Sequence, residues 1–251
     1  MTNQVLEIPE MQDIVRRCQA TLQPDKLICS CGSHNGFYRY SEKKPFCNDC
    51  WETFQADKWK QIKKEHPDRF MPYCNVYGKH IEYSFDFYKK DFKHLDELKQ
   101  YANKEKLYNI LMYGEPGHGK TGLGISIIRE LVKRGCDCRE IYYTTENDFK
   151  NKIISLQNEK VDKESFLNKV NNCGLVVYDE LGNYKTSDFM ATTTKELIDE
   201  REKLNKPTIL ITNLNIKQIG NFYGSPFVSR LQTFKWMEIK NIDYRSKEIG
   251  K

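Results

Sequence analysis

Two sets of residues in this chain have types and spacing that suit chemistry. Gly114-Glu115-Pro116-Gly117-His118-Gly119-Lys120-Thr121 follows the GxxxxGK[ST] spacing. Its glycines let backbone N–H groups face inward, making an anion nest at the positive end of the helix that Lys-Thr opens. Lys120 suits the β- and γ-phosphates of ATP, the Thr121 hydroxyl suits Mg²⁺, and Gly122 completes the nucleotide-binding set. Downstream, Leu175-Val176-Val177-Tyr178-Asp179-Glu180 ends an apolar run in two carboxylates. Asp179 is expected at Mg²⁺, directly or one shell out, and Glu180 is expected to polarise the attacking water. Asn213 closes another apolar run, where its amide suits that water or the γ-phosphate, although Asn is also a common turn residue. Arg230, in Ser229-Arg230-Leu231, suits an arginine finger reaching a neighbouring subunit's γ-phosphate, against the plainer reading of a surface arginine.

The second set is Cys29-x-Cys31 followed, after fifteen residues, by Cys47-x₂-Cys50. Two close pairs of thiolates suit tetrahedral Zn²⁺ in a ribbon-like knuckle, and a module so short of apolar residues needs a metal to fold. The first pair is tighter than the usual C-x₂-C, so His34 is an alternative ligand. Cys136-x-Cys138 lacks a second pair and reads as a coincidence at a turn, while Cys18, Cys74 and Cys173 read as packing residues.

The elements that must position these groups are legible in outline. Apolar runs at 109–113, 141–145, 175–178, 208–212 and 234–239 alternate with helical patterns, which predicts an α/β fold with a parallel sheet covered by helices on both faces. The helix over 121–134 directs Leu123, Ile127, Leu131 and Val132 inward, and Gly135 stands where a C-terminal cap is expected. Apolar spacing over 85–104 predicts a leading helix. The charged, proline-punctuated stretch from Trp51 to Gly78 suits a short helix and then a linker. The expected organisation is a zinc-binding module at 1–70, a linker at 71–84 and an ATPase domain at 85–251.

Composition narrows the class. With 251 residues and 39% apolar content, the chain can bury one full core and a small satellite. Forty Lys and Arg against 35 Asp and Glu permit nucleic-acid contact without arguing for it. No run reaches the roughly 18 apolar residues of a membrane span, and the start lacks a signal-peptide pattern, so a soluble, cytoplasmic protein without membrane partners is expected. Nine cysteines in such a chain read as thiols and metal ligands rather than a disulfide framework.

In order, GEPGHGKT, LVVYDELG, ILITN and the late SRL resemble the Walker A, Walker B, sensor 1 and arginine-finger segments of AAA+ ATPases. The ending, with Asp243-Tyr244-Arg245 after an apolar strand, resembles the DnaC/DnaI/IstB-like branch, which lacks the helical lid. The resemblance spans about 80–247. It implies an ATPase that loads a replicative hexameric DNA helicase onto single-stranded DNA and assembles with copies of itself. It places the phosphate cradle at Gly114 to Thr121, Mg²⁺ at Thr121 and Asp179, catalysis at Lys120, Glu180 and Asn213, and the finger at Arg230. His118 departs from the threonine or serine of many relatives without removing a backbone donor. The family carries a DNA-contacting helix before Walker B. Here Asp148 to Asn172 includes Lys150, Lys152, Lys160, Lys163 and Lys169, with Ile153, Ile154, Phe166 and Leu167 to pack it and Glu159, Asp162 and Glu164 against the reading. DnaI-type loaders have a zinc-containing N-terminal domain that holds the helicase, which favours protein binding for the cysteine module, where Lys43 and Lys44 are mixed with Glu42 and Asp49. Other readings are an IstB-like ATPase assisting a transposase and a nucleotide-gated helicase adaptor with negligible hydrolysis. A phage origin is compatible with the compact size.

Overall fold

The computed structural model describes residues 29, 31–32, 37–39, 44–89, 92–156, 160–182 and 188–240. His34, Cys18, Glu42, Lys43, Glu159 and Asp243-Tyr244-Arg245, singled out above, lie outside the described residues. The chain divides into two compact units, Met1–Gln61 and Ile62–Lys251.

In the first unit β1 (Phe37–Arg39) and β2 (Lys44–Phe46) pair antiparallel and lead into α1 (Asn48–Glu65), which belongs to this unit as far as Gln61 and buries none of its residues. Among this unit's described side chains only Cys29 and Cys47 are buried. An assembly whose interior is cysteine has little hydrophobic driving force of its own.

The second unit opens with short 3₁₀ turns at Pro67–Arg69, Met71–Cys74, Gly78–Glu82 and Phe85–Phe87, then α2 (Leu95–Ala102). There follow β3 (Ile110–Tyr113), α3 (Lys120–Lys133), β4 (Ile141–Thr145), α4 (Glu146–Ser155), α5 (Lys160–Asn172) and β5 (Leu175–Leu181). The remaining elements are α6 (Asp188–Lys203), β6 (Thr208–Thr212), α7 (Ile216–Tyr223), α8 (Ser225–Arg230) and β7 (Lys235–Glu238). The strands form a five-stranded sheet in the order β4-β5-β6-β3-β7, with all pairings parallel. Each predicted strand is present.

The sheet is apolar on both faces because both are covered. Ile110, Met112, Val177, Ile209 and Ile211 pack on one side with α2, α3 and the 3₁₀ segment. Leu111, Val176, Tyr178 and Leu210, the alternate residues, pack on the other side with residues of α4, α6, α7 and α8. Helix α3 ends as its sequence requires: Gly135 is left-handed, its N–H bonds the Val132 carbonyl at 2.9 Å, and the Cys136 N–H bonds the Leu131 carbonyl at 3.1 Å.

The structure corrects the linker expectation for 71–84. Met71, Cys74 and Val76 are fully buried in the core layer shared with α3, and Asn75 Nδ2 donates to the Tyr143 carbonyl at 2.8 Å. Pro67 and Pro72 start 3₁₀ turns rather than breaking structure. The leading helix over 85–104 is likewise shorter than expected, and its first part is a 3₁₀ turn.

Among the described residues, Arg201 is the largest fully buried side chain. Its guanidinium donates to the carbonyls of Val170, Asn171, Cys173 and Pro207 and to Thr208 Oγ1, tying α6 to the end of α5 and the start of β6. Burial lowers its pKa to about 10, so it is still charged near neutrality and held by carbonyl dipoles.

Candidate nucleotide site and cysteine cluster

The loop between β3 and α3 has left-handed glycines at 114, 117 and 119, and α3 begins at Lys120 with no side-chain cap over its first N–H groups. An anion in this loop would therefore meet the positive end of α3. The side of the cradle is tightly built. The Tyr88 hydroxyl donates to the Gly119 carbonyl at 2.7 Å, and a Cβ on Gly119 would come within 2.8 Å of that ring, while one on Gly122 would collide with the hydroxyl. Gly114 abuts the Ile239 carbonyl, which His118 Nδ1 also meets at 3.3 Å. Glu115 and Pro116 are exposed at the loop tip. Lys120 is buried, its Nζ donating to the carbonyls of Gly114 and Glu115 at 2.7 Å each, which places a cation at the centre of the loop.

Asp179 lies at the carboxyl end of β5, 2% exposed. Its Oδ2 accepts from the Tyr143 hydroxyl at 3.1 Å and its Oδ1 from the Glu180 N–H at 2.7 Å. Thr121 and the Lys120 charge also act on it. Burial is the largest influence and pushes its carboxyl pKa up, with these donors opposing. The structure thus brings Lys120, Thr121 and Asp179 together. A hydroxyl and a carboxylate close together beside a phosphate cradle form a donor set of hard oxygens, which fits Mg²⁺.

Glu180 follows at φ 59°, a left-handed residue within a β-bulge between Tyr178 and Leu181. Bulges re-aim side chains at strand ends, and here the neighbouring carboxylate is turned out to partial exposure. Asn213 follows β6 directly, half-buried at the same carboxyl end of the sheet. Arg230 is not gathered with these groups. It ends α8, ion-paired with Asp199 of α6 and donating to the Pro226 carbonyl at 3.1 Å.

Several site residues carry no sequence signal. Tyr143, on the strand beside β5, holds Asp179. His80, half-buried, stacks with Tyr83 at 5.7 Å and meets Tyr143 edge-on at 6.2 Å, and its burial lowers the imidazole pKa against the pull of Asp179. Tyr88 roofs the glycine loop. All three come from segments remote in sequence from the motifs, so local patterns could not reveal them.

Lys150 and Lys152 lie on α4, and Lys163 and Lys169 on α5, with Lys152 and Lys169 exposed. Phe166 and Leu167 pack as expected, but Ile154 is exposed. The inward face of α4 is Glu146, Phe149 and Ile153, and Ile154 lies one residue, about 100° of helix, beyond it.

The thiols of Cys29, Cys31, Cys47 and Cys50 lie within 4.8 Å of one another, with Cys31 and Cys47 at 3.7 Å. A tetrahedron of Zn–S bonds of about 2.3 Å has edges of about 3.8 Å, so this set fits such an ion. Backbone donors at Cys31 and Cys47 lower the Cys29 thiol to about 6, whereas the surrounding thiols push Cys50 up. Crowded sulfurs cannot all ionise without a cation among them. Cys74 and Cys173 are buried as packing residues, and Cys138 sits in a 3₁₀ turn after α3.

With this geometry, the relatives are informative. Residues 72–247 match the family model of the IstB-like ATP binding protein. The replicative helicase loader DnaC of Escherichia coli K12 is 26% identical over 162 residues, covering 62% of this chain and 65% of the loader's own length. An ATP-binding protein of insertion sequence IS5376 from Geobacillus stearothermophilus is 30% identical over 152 residues, covering 59% of this chain and 58% of that protein. The crystal structure of the DnaC helicase loader superposes with a TM-score of 0.56 at 20% identity, covering 65% of this chain and all of that one, and so shares the fold. The parallel sheet, the glycine cradle and the carboxylates at the end of β5 now have a common origin: the chain belongs to the family of IstB-like ATP-binding proteins.

Proposed function

We propose that the chain is an Mg²⁺-dependent ATPase that loads a replicative hexameric helicase onto single-stranded DNA. The observation that carries the nucleotide half of this reading is the meeting of Lys120, Thr121 and Asp179 at one end of the sheet. Similarity to the DnaC loader supports the helicase half.

In this reading the N–H groups at the start of α3 and the Lys120 ammonium hold the β- and γ-phosphates. When bound, Mg²⁺ would supply neutralisation of the phosphate charge. Thr121 and Asp179 hold it, with Tyr143 and the Glu180 N–H fixing the Asp179 carboxylate. Glu180 accepts the proton of a water that attacks the γ-phosphorus, releasing ADP and phosphate, and Asn213 orients that water. Arg230 acts on the site of a neighbouring copy. The thiolates of Cys29, Cys31, Cys47 and Cys50 hold Zn²⁺, and the module they fold binds the helicase. The lysines of α4 and α5 contact the DNA backbone. The unit boundary after Gln61 and the core packing of Met71 and Val76 support module limits at 1–61 and 62–251 rather than a free linker at 71–84.

The test is assembly of a purified replicative hexameric helicase on a closed single-stranded DNA circle, with ATP and either the parent chain or Cys47→Ser. Loading that needs the parent chain, ATP and Cys47 is the expected result, and a helicase that loads equally well without the chain contradicts it. The IS5376 relative favours a second reading, an ATPase assisting a transposase, which selective capture of a transposase rather than the helicase would support.

A further inference from the structure

Glu146 is a buried carboxylate that the hydrolysis chemistry above does not use. It opens α4 directly after the Thr145 cap and is 4% exposed. Its Oε2 accepts from the Gly182 N–H at 2.8 Å, and its Oε1 accepts from the Tyr223 hydroxyl at 2.6 Å and from Thr194 Oγ1 at 3.4 Å. All three partners are neutral donors. A carboxylate kept from water on such terms is costly, so it must be sustained by the positions of its donors.

Those donors belong to separate parts of the site. Gly182 lies two residues beyond Glu180, at the exit of the bulged strand. Its φ is 75°, and a Cβ there would collide with the Leu214 side chain just after Asn213, so this backbone has one place to sit. Tyr223 ends α7 and, through Gly224, leads into α8 and Arg230. Its ring packs on Phe227 of α8 with centroids 4.8 Å apart. Thr194 lies on α6, the helix that carries Asp199, and shares a hydrogen bond of 3.1 Å with Tyr178 of β5. One side chain therefore joins the strand of the hydrolytic carboxylates to the helices that carry the arginine.

We propose that Glu146 is a positioning residue that locks the exit of β5 to the α7–α8 hairpin, so that each chain presents Arg230 to its neighbour in a fixed geometry. This inference rests on the reading of Arg230 as a finger acting between subunits. A mobile hairpin would still hold the arginine but would present it in many orientations, and positioning to within a fraction of an ångström is what such a group contributes.

Mixing chains separates the two ideas. Arg230→Ala keeps a hydrolysis site and lacks the finger; Glu180→Gln keeps the finger and lacks the base. Together they turn ATP over where an Arg230→Ala site faces a Glu180→Gln neighbour. Adding Tyr223→Phe to the Glu180→Gln chain removes the bond from Glu146 to the hairpin and leaves the ring in place. The mixed turnover is expected to fall about tenfold, the scale of one hydrogen bond to a charged group. The same change in the Arg230→Ala chain should leave it nearly unaltered, because Gly182 is still held. Glu146→Gln in the finger-donating chain, which keeps an acceptor for Gly182 and a donor for the tyrosine oxygen, should retain most of the turnover. Undiminished turnover with Tyr223→Phe in the donor overturns the inference, as does an equal loss whichever chain carries it. If the two single variants with Tyr223 intact do not complement, the finger reading falls and takes this inference with it.

Discussion

Arg230 is ion-paired with Asp199 of its own chain, so the arginine proposed to act on a neighbour is engaged within the free protein. Both side chains are partly exposed, and such a pair contributes only about 0–1 kcal/mol. That is enough to bias the arginine without trapping it. Asp199→Asn should raise ATP turnover at limiting protein concentration by about two- to fivefold, the factor those energies allow. Rate against protein concentration checks this, and coincident curves for parent and variant would count against the latch.

Tyr143 makes a different kind of prediction, since it acts on Asp179 and not on the nucleotide. Tyr143→Phe deletes the 3.1 Å bond and leaves Thr121 and the Glu180 N–H in place. Loss of such an outer partner should raise the Mg²⁺ concentration for half-maximal hydrolysis by about tenfold while ATP still binds the glycine cradle. A Mg²⁺ titration of the hydrolysis rate decides it, an unmoved midpoint being the contrary result.

The cysteine cluster predicts bound zinc at one ion per chain. Cys47→Ser, or a strong chelator, should remove the metal and unfold the first unit, whose described interior is Cys29 and Cys47. ATP binding by the second unit should survive. Elemental analysis and nucleotide titration on the same sample test both halves, and a chain purified without metal yet fully folded at 29–50 contradicts the assignment.

Glu146 predicts a pH dependence of definite sign. Burial is the largest influence and holds its carboxyl above the ordinary 4.5, with its hydrogen-bond donors opposing. A folded value above the unfolded one means that the native state holds the proton more tightly. The associated stability is present below pH 4.5 and is lost as pH rises through the folded value. Glu146→Gln cannot ionise, so its melting temperature relative to the parent should rise from pH 4.5 toward neutrality. A constant difference across that range would contradict the sign.

The parts of this fold that could be read from sequence are those whose physics is local. Strands buried on both faces, such as Leu175 to Tyr178 and Thr208 to Thr212, show as unbroken apolar runs, and Gly135 marks the end of α3 by its own conformation. The phosphate cradle and the carboxylates at 179 and 180 are likewise contiguous. The 71–84 segment misled because 3₁₀ turns of three to five residues have no repeat to read, and Met71, Cys74 and Val76 are too few to form a pattern. Tyr88, Tyr143, Glu146 and Arg201 could not be read at all, since they matter through partners from six to seventy-seven positions away. Asp199 belongs with them: on sequence it is one acidic residue of a solvated helix.

The most direct measurement is ATP turnover by the purified chain beside Glu180→Gln, with and without single-stranded DNA. Mg²⁺-dependent hydrolysis by the parent, increased by the DNA, is expected, with a loss of about 10²-fold or more in the variant and nucleotide binding retained. Nucleotide binding without turnover by the parent, in either condition, would contradict it.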